Sequence, residues 1–139
     1  MQLLQQRTGA AIASHVEIAA TRASRRKGLL GRASLAPSAA LVLAPCCAVH
    51  TAFMQFPIDV VFVSRGGTVR KIVTLPPWRM AVDVGAAAVV ELATGAASEL
   101  RVGDCVYLSD AFGNSASEGS SFSSASLRRT ASSPACSGS

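Results

Sequence analysis

Aromatic side chains are scarce in this chain: five Phe, one Trp and one Tyr among 139 residues. No strand interleaves them with basic residues, so a single-stranded nucleic-acid platform, which needs stacking rings beside cations, is not expected. Histidine is scarcer still, with only His15 and His50. Zinc takes three or four ligands, and the two histidines lie far apart along the chain, so no metal or other cofactor is expected. Four cysteines, two of them the vicinal Cys46 and Cys47, do not make a disulfide framework, because a bridge between neighbours is strained. No run approaches the ~18 consecutive apolar residues that span a bilayer. The opening residues from Met1 to Arg7 lack a basic stretch leading into an apolar one, which reads as a cytoplasmic, soluble protein.

What is present is apolar and unevenly spread. Half the residues are hydrophobic, and the larger ones concentrate before Phe112. The segment 111–139 is dominated by Ser, Ala and Gly. Such a composition buries too little surface to offset ordering entropy, so a disordered tail is expected there. Residues 1–11 read as an N-terminal extension and residues 12–110 as the folded unit, long enough to bury a core without disulfide or metal. Thirteen basic residues against eight acidic ones give a net charge of +5. Arg22, Arg25, Arg26, Lys27 and Arg32 cluster about one predicted helix, where a solvated face accounts for them.

The pattern of elements is mostly β. His15-Val16-Glu17-Ile18 alternates as a half-buried strand does. Thr21 is a good N-cap for a helix over residues 22–30, closed by Gly31. Leu41-Val42-Leu43 is a short buried strand. Residues 58–63 and 68–73 are β-branched runs about Gly66-Gly67, the mark of a β-hairpin. Further strands are expected at residues 88–92 and 105–108, with a short helix over residues 96–100 between them. Short sequential strands with few helices predict an α+β domain on an antiparallel sheet curled into a small barrel.

Several motifs occur in order: Arg26-Lys27-Gly28-Leu29-Leu30-Gly31-Arg32, Cys46-Cys47-Ala48-Val49-His50-Thr51, Met54, Phe56-Pro57-Ile58-Asp59, Gly67-Thr68-Val69, Val90-Glu91-Leu92 and Gly103-Asp104. Together they resemble the bacterial and archaeal family called domain of unknown function 192, here in a His-Thr-x-x-Met variant. The resemblance runs from about Ile12 to Leu108 and implies a compact β-rich, barrel-like fold. It implies no reaction. The tail lies outside it.

The residues of chemical interest gather in the loop from Cys46 to Asp59. Cys46 or Cys47 with His50 as base would make a thiol nucleophile, although no third residue to orient the pair can be named. His50 and Thr51 otherwise hold the loop or line a ligand pocket. Asp59, at the head of an apolar strand, wants hydrogen bonds if buried, and is expected to pin the loop of residues 50–54 to the sheet. Glu91, mid-strand, poses the same question, and the two acids could converge as an acid/base pair. Trp78, beside Pro77 and Arg79, reads as a lid over one barrel end or as an exposed stacking surface. The combined expectation is a monomeric, non-catalytic module binding a small molecule or protein partner. His50, Thr51, Met54, Asp59, Trp78, Arg79 and Glu91 line its site. The alternative is a hydrolase-like or thiol enzyme using His50 with Cys46, Cys47 or Asp59.

Overall fold

The computed structural model describes residues 1–109, and the Ser-rich tail expected at 111–139 lies outside them. Ten strands and one helix follow in chain order: β1 (Gln2–Gln5), β2 (Ala11–Ala13), β3 (His15–Ala19), α1 (Arg22–Lys27), β4 (Ala39–Leu43), β5 (Ala48–His50), β6 (Ile58–Val63), β7 (Val69–Leu75), β8 (Met80–Val82), β9 (Ala88–Ala93) and β10 (Val106–Ser109). The α+β, mostly antiparallel class holds. The strands form three sheets, ordered β10-β1-β2, β3-β4-β9-β6-β7 and β5-β8, and all pairings are antiparallel except β3 with β4. No closed barrel is formed among the described residues.

The five-stranded sheet is the frame, because β6 and β9 are apolar on both faces and therefore need cover on both. All six residues of β6 are buried, as are Ala88 to Leu92 of β9. On one face Val42, Val61, Val63, Val90 and Leu92 pack with Leu3, Ile12, Val106 and Leu108 of the three-stranded sheet. On the other, Leu41, Leu43, Val60, Phe62 and Val89 pack with Leu29, Val49, Met54 and Ala81. This second cover is made of the turn after α1, the β5–β8 pair and the loop between β5 and β6. It is here that the cleft described below forms.

The N-terminal residues, expected to be an extension, are part of this structure. β1 pairs with β10 from Gln2↔Ser109 to Gln5↔Val106, and Leu3 and Gln5 are buried. Its short, glutamine-rich run hides the pattern, since a four-residue strand shows only two alternations. Helix α1 starts where expected: Thr21 Oγ1 accepts from Ser24 N at 3.0 Å, and Ser24 Oγ accepts from Thr21 N at 3.1 Å. It ends at Lys27 rather than Leu30. Gly28 takes φ +46°, a value that favours glycine, and its N–H closes the last turn on Ser24 O. That early stop swings Leu29 into the core. No helix forms at residues 96–100. Asp59 accepts from the N–H groups of Gly95 and Ala97, holding the segment as a chain of turns instead. The hairpin turn spans Ser64 to Thr68 with Gly67 at φ +93° and a bulge at Phe62/Val63, longer than a two-residue turn.

Candidate functional site

The geometry of the site follows from one register. In β9, Glu91 lies opposite Val60 of β6 and Leu41 of β4, whereas Asp59 lies opposite Leu92. Side chains alternate along a strand, so Glu91 and Asp59 point to opposite faces of the sheet. They do not converge as an acid/base pair.

Asp59 is fully engaged on its face. Its carboxylate accepts from Thr74 Oγ1 at 2.7 Å, Gly95 N at 2.9 Å and Ala97 N at 3.1 Å. It is a structural acid, but it pins the turn after β9 rather than the loop of residues 50–54. That loop is held by Thr51 instead. Thr51 Oγ1 donates to Pro76 O at 2.7 Å and accepts from Arg79 N at 2.8 Å, while Thr51 O accepts from both Met54 N and Trp78 N. Thr51 is wholly buried, so these bonds are screened from water and tie two loops into one unit.

Glu91 is different. Its side chain is 4% exposed, and Oε2 is buried with no hydrogen-bond partner. The Tyr107 hydroxyl is the other such atom among the described residues, on β10 and away from the cleft. Burial pushes the Glu91 carboxyl up to about 7, and Arg32 offsets this only in part. Nearby guanidinium groups are committed elsewhere: Arg32 bonds Glu17 at 2.6 Å, and Arg25 bonds Ala20 O at 2.7 Å. The carboxyl therefore sits near the midpoint of its titration at neutral pH, with no hydrogen-bond donor to Oε2 among the described residues and only the partial offset of the Arg32 charge.

Glu91 borders a cleft of about 110 Å³. Arg25, Gly28 and Leu29 form one wall, Cys46, Val49 and His50 another, and Met54 contributes an apolar surface. A methyl group added at Gly28 would come to 4.0 Å from Glu91 Oε2, so the glycine that ends α1 also keeps space open beside the acid. Cys46 and Cys47 are free and half-buried. The Cys46 thiol is pushed up, first by burial, and its Sγ donates to Ala48 O at 3.1 Å. A raised thiol holds its proton and is a poor nucleophile. Among the described residues no hydrogen bond joins His50 to Cys46, Cys47 or Asp59, and these residues do not form an assembled nucleophile–base pair. No cluster of three or more His, Cys, Asp or Glu suited to a metal ion occurs there either.

The residues singled out in the sequence thus separate into three groups. His50, Met54 and Glu91 meet in the cleft. Thr51 and Asp59 are buried struts. Trp78 and Arg79 lie outside the cleft, and Trp78 is 59% exposed with its ring 4.6 Å from that of Phe53, so it does not cap an end of the fold. Sequence reasoning missed the wall supplied by Arg25, Gly28 and Leu29. The signal was available, since a glycine between a basic helix and a Leu pair is a natural helix stop.

These features define a small β-rich domain whose central sheet carries one unpaired buried acid beside a narrow cleft. The chain belongs to the DUF192 family, described as uncharacterized ACR, whose pattern matches residues 3–108. No curated protein matches it. Two solved structures share the fold. A protein of unknown function from Novosphingobium aromaticivorans DSM 12444 is 23% identical with a TM-score of 0.66, over 78% of this chain and 84% of that one. A provisionally named transcription regulator from Sinorhizobium meliloti 1021 is 23% identical with a TM-score of 0.64, over 76% of this chain and 88% of that one. No described helix is long and apolar enough to cross a membrane.

Proposed function

We propose that this domain is a non-catalytic binding module whose site is the cleft between the turn after α1, β5 and β9, with Glu91 as the group that recognises the ligand. The observation that carries this reading is the unpartnered Oε2 of Glu91 at a cleft wall. A buried carboxyl without a donor costs free energy that a ligand N–H or O–H would recover. Leu29, Leu43, Val49 and Met54 supply the apolar part of the lining. The complementary ligand is therefore a compact hydrogen-bond donor, an amine or amide, on a short apolar stem. A cleft of about 110 Å³ falls below the roughly 300–1,000 Å³ of sites enclosing drug-sized molecules, so it takes a small molecule or one side chain of a larger partner.

Titration of the isotope-labelled full chain with n-butylammonium, butyramide and butyrate, followed by amide chemical shifts, tests this. The first two are expected to move Gly28, Leu29, Val49 and Glu91, and Glu91→Gln is expected to abolish the response to n-butylammonium. Equal shifts with butyrate, or none with any of the three, would overturn the assignment.

A further inference from the structure

We infer that the outward face of β5–β8, with the turns beside it, is a docking surface for an anionic lipid bilayer. β8 presents Met80 and Val82 outward, while Ala81 between them faces the core. Phe53 is 73% exposed, Met80 70% and Val84 88%, alongside Trp78 at 59%. Side chains this exposed project from the surface rather than line a groove. The domain is poor in aromatics, yet places two of its largest here.

The projection is built into the backbone. Phe53 and Trp78 both have φ +65°, a conformation bulky residues rarely adopt. Thr51 O holds both turns, accepting from Met54 N and Trp78 N, so one buried residue fixes the two rings together. Their exposure is imposed by that knot.

Charge selects the partner. Across residues 48–57 and 69–84 the only acid is Asp83, which is bound to Arg70 at 2.9 Å. Among the described residues Lys71 and Arg79 flank the apolar residues without a salt bridge, although the Lys71 charge also acts on Asp83: Lys71 Nζ donates to Val82 O, and Arg79 Nη1 to Trp78 O. Projecting aromatic and aliphatic side chains ringed by cations match the boundary between acyl chains and anionic headgroups. Nucleic acid fits less well. Inserting a base between two rings needs about twice the ~3.4 Å stacking step, and the Phe53 and Trp78 rings stand 4.6 Å apart at a 59° tilt.

Trp78 is the sole tryptophan, so its emission reports directly on this surface. The full chain is mixed with phosphatidylcholine vesicles with and without phosphatidylserine. With phosphatidylserine, Trp78 emission is expected to shift to the blue and to be quenched by brominated acyl chains. Phe53→Gly, which suits the positive φ, and Val84→Ser, at a position nearly free of contacts, are each expected to weaken partitioning roughly tenfold. Arg79→Gln is expected to weaken it about fivefold. Unchanged emission with the anionic vesicles, or undiminished binding by the Phe53 and Val84 variants, would overturn the proposal. So would a Trp78 response to oligothymidylate or an acidic peptide in place of the vesicles.

Discussion

The buried acid of β9 makes stability depend on pH in a direction opposite to that of a salt-bridged carboxylate. Raising Glu91 from its ordinary 4.5 to about 7 corresponds to about 3 kcal/mol between its two protonation states, at 1.36 kcal/mol for each tenfold step in acidity. The fold favours the protonated form. The contribution is therefore fully present below pH 4.5 and is lost as pH rises through about 7. Between about pH 5 and about pH 8.5 the protein should lose roughly 2–3 kcal/mol from this one group. Glu91→Gln removes the titration and keeps the shape. Urea unfolding followed by circular dichroism at both pH values should show the variant's stability changing by roughly 2–3 kcal/mol less than that of the wild type. Other titrating groups are common to both proteins, so the difference isolates Glu91. An equal pH slope in the two, or a wild type that gains relative to the variant as pH rises, would refute the argument.

Asp59→Ala should destabilise by about 3 kcal/mol or more in urea unfolding, because it strands the N–H groups of Gly95 and Ala97 and the Thr74 hydroxyl. Thr51→Val should cost about 1–3 kcal/mol by leaving Arg79 N without its acceptor, and it should also broaden the Trp78 environment seen by fluorescence. Gly28→Ala should cost about 1–3 kcal/mol, because φ +46° with ψ −125° is a conformation open to glycine and hardly to other residues, and it should narrow the cleft beside Glu91, weakening any response to n-butylammonium. Cys46 should react with iodoacetamide near neutral pH more slowly than a free exposed cysteine, read by mass spectrometry of the peptide that contains it.

Much of the sheet was legible in the chain. β6 and β7 announce themselves because β-branched runs flank a glycine pair, β4 because its apolar run is continuous, and β9 because its run is broken only by Glu91, as suits strands covered on both faces. The elements that escaped are those whose form is set by distant partners. β1 is four residues long and becomes a strand by pairing with β10, nearly the whole folded chain away. β5 and β8 are three residues each and exist as a pair, joined at Val49↔Ala81. Residues 96–100 have local helical character, yet the carboxylate of Asp59 takes the N–H groups of Gly95 and Ala97 and favours turns.

The two strand acids were legible as residues but not in their surroundings, and the difference is one of parity. Asp59 and Glu91 look alike in the sequence: each is an acid set among apolar strand residues. Whether such an acid is satisfied depends on what caps its face of the sheet, which the strand itself does not encode. The Asp59 face meets a turn with free N–H groups and the hydroxyl of Thr74. The Glu91 face meets Leu29, Val49 and Met54, which offer no donor, beside Gly28, which leaves space. One residue of register separates a satisfied strut from an acid whose Oε2 has no hydrogen-bond partner. Moving Glu91 by a single position along β9 would send its carboxyl to the opposite face and close the question of binding. The family resemblance located both acids, and only the cross-strand pairing distinguishes them.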